Sequence, residues 1–259
     1  MLKINQLTKR FNHGTINERI ALNHLDLTVD KGEFITIIGS NGAGKSTLMN
    51  CISGVEQPDA GSILLNGKDI SRLPEYKRSK WIGRVFQDPM KGTAYDMTIE
   101  QNLAIANGKN QLRGFQPGIT KKERDMFREK LSLLGMGLED RLTQKVKLLS
   151  GGQRQALTLF MAVLATPDLL LLDEHTAALD PATAKKVLEL TDLFAKSENL
   201  CTLMITHNMA DALAHGTRTI LMADGRIIMD LKGNERQQMT VETLIRQFEI
   251  ANDRMLLQK

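Results

Sequence analysis

Gly39-Ser40-Asn41-Gly42-Ala43-Gly44-Lys45-Ser46-Thr47 is the stretch from which the rest of the chain is read. Two glycines five apart, followed by Lys and then Ser, make the pattern of a phosphate-binding loop. The backbone N–H groups of such a loop point inward at an anion. Side chains at Gly42 or Gly44 would block the approach of a phosphate or forbid the backbone angles it needs. Lys45 adds a mobile positive charge for the outer phosphates, and the Ser46 hydroxyl is placed to bind Mg²⁺. Before the loop, Phe34-Ile35-Thr36-Ile37-Ile38 reads as a buried strand. After it, Leu48-Met49-Asn50-Cys51-Ile52 reads as helix, so a phosphate would sit at a helix N-terminus. A chance match to the pattern arises about once in a hundred chains of this length. The flanking strand and helix reduce that further, and nucleotide binding is the reading adopted.

Working outward, the 259 residues fit one large domain with room for a substantial subdomain. A hydrophobic content of 42% and a charged content of 25% are those of an ordinary globular protein, which excludes disorder. No run approaches the roughly 20 apolar residues of a membrane span. Met1-Leu2-Lys3-Ile4-Asn5 lacks the apolar core of a secretion signal. Cys51 and Cys201 lie in apolar stretches and read as buried thiols of a reducing compartment. The net charge of +4 is too small to argue for nucleic acid, and 4% aromatic residues offer few stacking platforms. No nucleic-acid partner is expected.

Residues 2–11 and 20–30 alternate as strands with one wet face, with Leu25, Leu27 and Val29 on the dry side. Gly54 closes the helix after the loop, Ser62 to Leu65 is a strand, and Asn66-Gly67 is a hairpin turn. Residues 70–80 look helical, with Lys77, Arg78 and Lys80 on a solvated face. Ile82 to Phe86 is a strand ending at Gln87-Asp88-Pro89. Thr98 with Gln101 and Thr120 with Glu123 are capping boxes, Gly135 suits the end of the second helix, and residues 107–119 read as a loop. Ser150-Gly151-Gly152-Gln153 opens another helix, stopped by Pro167. Leu169 to Leu172 is a buried parallel strand, and Asp180-Pro181 caps the next helix. Leu200 to Thr206 is a buried strand. Asp224-Gly225 marks a second hairpin, and Thr240 caps a last amphipathic helix carrying Leu244 and Phe248. Strands alternating with helices argue an α/β fold with a mostly parallel core sheet.

A phosphate loop needs a metal partner, and Asp173, at the end of four leucines, supplies a carboxylate at a strand end. Glu174 follows on the opposite side of an extended chain and is the candidate general base for water. Two exposed acids at a strand end are a common structural feature, and it is the loop that favours the functional reading here.

With these residues in place the chain resembles the ABC ATPases. Leu149 to Gln153 looks like their signature motif, Leu169 to Glu174 their Walker B strand, and Ala178-Leu179-Asp180 their D-loop. Gln87 matches the Q-loop glutamine and His207 the switch histidine, all in the family's order across residues 2 to about 230. The resemblance implies a single ABC ATPase domain. A P-loop NTPase core with an antiparallel β subdomain spans 1–89 and 166–232, a helical subdomain spans 90–165, and a helical tail spans 233–259. It also implies ATP and Mg²⁺ as ligands. Gly39, Ser40, Asn41, Gly42, Ala43, Gly44, Lys45, Ser46 and Thr47 would cradle the phosphates. Phe11 would stack on adenine, and Asp173, Ser46 and Gln87 would serve the metal. Glu174 would activate water and His207 would contact the γ-phosphate. A second copy packed head to tail would bring Ser150, Gly151, Gly152 and Gln153 onto the nucleotide, with Asp180 at the dimer contact. One departure is His175, where the family most often carries proline; it is read as preserving the backbone path.

The implied role is to power a separate membrane permease from the cytoplasmic face. Import with a solute-binding protein is expected, and the wording of residues 174–181 resembles ATPases of aromatic amino-acid uptake systems. A soluble ABC ATPase acting as an assembly or scaffold factor remains the alternative reading.

Overall fold

The chain begins with β1 (Leu2–Phe11) and β2 (Arg19–Val29), then β3 (Phe34–Gly39), α1 (Lys45–Ser53), β4 (Ala60–Leu65), β5 (Lys68–Asp69) and the one-turn α2 (Glu75–Arg78). These come from a computed structural model that describes residues 1–108 and 118–257. Most of the loop expected over 107–119 lies outside the described residues. Two compact units are present, Met1–Ser79 with Asn199–Lys259, and Lys80–Glu198.

The first unit carries an antiparallel sheet in the order β2-β1-β4-β5. Alternation put Leu25, Leu27 and Val29 on one face, and all three are buried while Asp26 and Thr28 are exposed. Asn66 (φ 51°) and Gly67 (φ 77°) make the tight turn between β4 and β5. After the second unit the chain returns as β8 (Cys201–Ile205), α7 (Met209–Ala214), β9 (Arg218–Ala223), β10 (Arg226–Lys232), α8 (Gly233–Gln238) and α9 (Val241–Leu257). β3 pairs in parallel with both β8 and β9, and β10 closes antiparallel on β9 across Asp224 and Gly225. The tail is docked: Leu244 of α9 is fully buried in a cluster with Ile38, Ala212, Leu221 and Leu231, and Phe248 packs against it. Thr240 caps α9, accepting from the Thr243 N–H at 3.2 Å.

The second unit holds β6 (Ile82–Val85), α3 (Ile99–Asn107), α4 (Lys121–Ser132), α5 (Gly151–Leu164), β7 (Leu169–Asp173) and α6 (Pro181–Ser197). β6 and β7 are parallel, from Ile82 opposite Leu169 to Val85 opposite Leu172. Both expected capping boxes form, at Thr98 with Gln101 and Thr120 with Glu123, and Ser150 with Gln153 makes a third. Arg124 binds Glu100 at 2.6 Å and so ties α4 to α3.

The basic stretch 70–80 departs from expectation. Only residues 75–78 are helical, because Pro74 disfavours the helical region at Leu73 and β6 starts at Ile82. Lys77 and Lys80 are exposed as expected, but Arg78 is fully buried. Its guanidinium donates to the carbonyls of Cys51 (2.6 Å) and Ile52 (2.9 Å), Ser71 (2.9 Å) and Leu73 (2.7 Å). Cys51 and Ile52 lie in the last turn of α1, which has no basic residue of its own. Arg78 therefore supplies the cation that this negative helix end favours. Burial holds its pKa below the ordinary arginine value. Cys51 and Cys201 are buried free thiols, as the sequence implied, and burial pushes both up to about 12.

Arg218 on β9 organises the edge where the two sheets of the first unit meet. It reaches both carboxylate oxygens of Asp230 at 2.6 Å, Glu33 at 3.2 Å and the Thr28 carbonyl at 2.9 Å. The Arg218 hydrogen bond holds the Asp230 carboxyl below its ordinary value.

Removing Arg78 should strand the buried carbonyls of Cys51, Ile52 and Ser71 and the part-buried one of Leu73. Arg78→Met is expected to lower the unfolding free energy by about 3 kcal/mol in urea titration. Lys77→Met at the neighbouring exposed position should change it by less than about 0.5 kcal/mol. Asp230 makes a pH prediction. Its depressed pKa contributes stability that is complete above about pH 4, the unfolded value, and is lost as pH falls through the lower native value. Asp230→Asn should lower stability at pH 7 and make the loss between about pH 4 and pH 2 shallower, read from melting temperatures across that range.

Candidate nucleotide site

The loop that opened the sequence joins β3 to α1 in the first unit. Lys45 is only 5% exposed and folds back along the loop, its Nζ donating to the Gly39 carbonyl at 2.7 Å and the Ser40 carbonyl at 2.9 Å. The loop is thus curled around its own lysine. Gly44 has φ 100°, a conformation that side-chain-bearing residues avoid, and a Cβ there would lie 2.4 Å from the Ala21 carbonyl oxygen. A Cβ on Gly39 would meet the Met222 carbonyl at the same distance. The Gly225 N–H donates to the Ala43 carbonyl at 3.0 Å, and Arg19 Nη2 to the Gly42 carbonyl at 2.7 Å.

This geometry suits an anion. Gly44 is the N-cap of α1 and gives it no side-chain cap, and the first turn holds no acidic residue, so the positive dipole end of the helix favours an anion. The Ser40 hydroxyl is buried at the loop without a hydrogen-bond partner. Asn41 and Gly42 are exposed, Ala43 is buried, Ser46 is exposed and Thr47 is half-buried. Backbone donors, one lysine and an exposed hydroxyl make a cradle that polyphosphate chemistry fits.

Two more expected residues share this unit. Phe11, half-buried at the end of β1, pairs across the ladder with Arg19, the residue that holds the Gly42 carbonyl. Lys9 lies over the Phe11 ring at 5.2 Å. His207 is exposed just past β8, and the Thr206 N–H donates to the Ile37 carbonyl at 3.2 Å. It therefore leaves its strand at the carboxyl end where the loop leaves β3, the usual side for ligands in a parallel sheet.

The remaining expected residues belong to the second unit. Gln87 is exposed two residues past β6. Asp173 ends β7, with its Oδ2 3.6 Å from Nη2 of Arg84, whose guanidinium lies 4.6 Å from the Phe86 ring centroid. Glu174 follows with φ 47°. At the start of α5 the Ser150 hydroxyl accepts from the Gln153 N–H at 3.2 Å, and Gln153 Oε1 accepts from the Ser150 N–H at 3.2 Å. Gln153 Nε2 also donates to the Met136 carbonyl at 3.2 Å. Gly151 is exposed and Gly152 is buried, where a Cβ would come within 2.1 Å of Thr183 Cγ2. Thr183 is in turn the residue whose N–H the Asp180 carboxylate accepts, at 3.1 Å, as N-cap of α6. Those Thr183 hydrogen bonds hold the Asp180 carboxyl below its ordinary value. The starts of α5 and α6 are therefore in contact. Arg19, Arg84 and Thr183 were not singled out from the sequence, and no local motif marks them, since each acts on a residue distant in the chain.

Residues 22–177 match the ABC transporter family model. The tyrosine transport ATP-binding protein of Clostridioides difficile (strain R20291) is 43% identical over 251 residues, covering 97% of this chain and 100% of that protein. Among solved structures, a dimeric ATP-binding cassette in a post-hydrolysis state bound to ADP and Pi is 28% identical with a TM-score of 0.77, covering 90% of this chain and 98% of that one. The cbiO1 protein of Clostridium perfringens, part of an ABC transporter complex, is 26% identical with a TM-score of 0.77, covering 100% of this chain and 98% of that one. With the phosphate loop, the two kinds of sheet and this likeness along its length, the chain belongs to the ABC transporter family as one of its ATP-binding, ATP-hydrolysing subunits.

Proposed function

We propose that this ATPase drives uptake of amino acids, of the aromatic class, through a separate membrane permease fed by a solute-binding protein. The observation that carries the solute class is the 43% identity to a tyrosine transport ATP-binding protein across that protein's whole length. Among the described residues no helix is long and apolar enough to cross a membrane, in keeping with a partner chain that does so. The chain then works at the cytoplasmic face of the membrane.

In this reading the loop Gly39 to Thr47 holds ATP, with Lys45 on the β- and γ-phosphates, Thr47 on the α-phosphate and Phe11 against adenine. The hydroxyl of Ser46 and the carboxylate of Asp173 are hard oxygen donors suited to Mg²⁺, with Gln87 as a further contact. Bound there, the ion would neutralise charge on the β- and γ-phosphate oxygens. Glu174 orients a water on the γ-phosphorus and takes its proton as the P–O bond to ADP breaks. His207 contacts the γ-phosphate. A second copy, packed head to tail, lays Ser150, Gly151, Gly152 and Gln153 over that phosphate, with Asp180 at the contact. A dimeric cassette bound to ADP and Pi supports this arrangement by likeness. Both half-sites of such a homodimer carry the full set of residues.

Glu174→Gln should bind ATP as the native chain does, lose hydrolysis by about a hundredfold or more, and accumulate an ATP-bound dimer in size-exclusion chromatography. Native turnover in that variant would remove Glu174 from the role. For the transport reading, the chain co-expressed with membranes should copurify with an integral membrane protein, and its ATPase rate should rise when tyrosine-loaded binding protein is added. Recovery with soluble partners only, and no stimulation, would favour the assembly-factor reading.

A further inference from the structure

Glu174 sits in the left-handed region, at φ 47°, which residues other than glycine seldom occupy. Such a conformation persists where the surroundings hold it. The next residue supplies a hold. His175 is 3% exposed and occupies the second position of a turn closed by the Ala177 N–H on the Glu174 carbonyl at 3.0 Å. At that position of a turn a proline ring would fix φ without help from any partner. Histidine has no such ring. Instead its Nε2 meets the Thr191 hydroxyl at 3.0 Å, sixteen residues on in α6.

The direction of that bond follows from its neighbour. Thr191 is fully buried, and its hydroxyl donates to the Val187 carbonyl at 2.9 Å. A hydroxyl has one proton to give. With that proton given to Val187, Thr191 Oγ1 accepts from His175 in the tautomer that carries its hydrogen on Nε2. The chain Val187 carbonyl, Thr191 hydroxyl, His175 ring and turn 174–177 ends one residue from the carboxylate assigned to activate water. A histidine merely satisfied inside the core would make the same bond, so the distinction lies in what its loss does to turnover.

We infer that His175 is a positioning residue for Glu174, its hydrogen bond to Thr191 locking the turn that aims the carboxylate. The inference rests on the reading of Glu174 as the residue that activates water. It gives α6, whose first turn begins at Asp180, a direct mechanical link to that carboxylate. The link would be absent where a ring alone stiffens the turn.

Thr191→Val keeps the shape and removes the acceptor. It should lower kcat about tenfold while leaving KM for ATP unchanged, because the water-activating group is misaimed and the nucleotide contacts are not. Thr191→Ser should restore the rate. His175→Phe removes the donor with Thr191 intact and should give the same fall, and the double variant should be no slower than either single one. Circular dichroism melts establish that each variant is folded at the assay temperature. An unchanged kcat in folded Thr191→Val or His175→Phe, additive losses in the double variant, or a raised KM at native kcat would overturn the proposal. Hydrolysis surviving in Glu174→Gln would instead overturn the reading on which it rests. An inactive Glu174→Gln beside a fully active Thr191→Val would remove the positioning role alone.

Discussion

Close approach of backbone to backbone around the phosphate loop is the constraint on which the first unit depends. The carbonyls of Ala21 and Met222 come so near Gly44 and Gly39 that a Cβ at either glycine would overlap them. The Gly225 N–H completes the enclosure on the Ala43 carbonyl. Those neighbours come from β2, β9 and the β9–β10 turn, so both sheets of the unit converge on the loop. Arg78 then fixes the far end of α1 through its last carbonyls. A helix of nine residues, too short to be stable alone, is thus held at both ends, and its positive end carries no acidic residue or side-chain cap.

The second unit solves a different problem by different means. Its candidate groups are set by side-chain bonds: Ser150 with Gln153, Asp180 with Thr183, Asp173 with Arg84, and His175 with Thr191. Backbone cradles suit an anion that must be enclosed on several sides. Side-chain bonds suit carboxylates and helix starts, whose direction matters more than their enclosure. The contact of Gly152 with Thr183 joins the starts of α5 and α6. In the proposed dimer, the signature and the residue at the dimer contact would accordingly move as one piece.

Much of this was legible because it is local. Capping boxes at Thr98 and Thr120 depend on a residue and its neighbour three positions on, and both form. The hairpin pairs Asn66-Gly67 and Asp224-Gly225 carry positive φ as those residues allow. Leu169 to Leu172 is buried throughout, as an unbroken apolar run between turns requires. Where reading failed, the deciding partner was remote. Arg78 stands among basic residues and was assigned to solvent with them. Its true partners include Cys51 and Ile52, more than twenty residues back in the chain.

The sequence alone determined the loop, its strand and helix, the order of motifs and hence the family, because each rests on spacing within a few residues. Only the tertiary structure decided which arginine of a basic stretch is buried and that Lys45 curls into its own loop. It alone also brought the Thr191 hydroxyl to the ring of His175. Position 175 shows the reason most plainly. A proline's effect on φ is covalent and readable from one letter, whereas the effect of His175 needs Thr191, which the fold of α6 brings to within 3.0 Å.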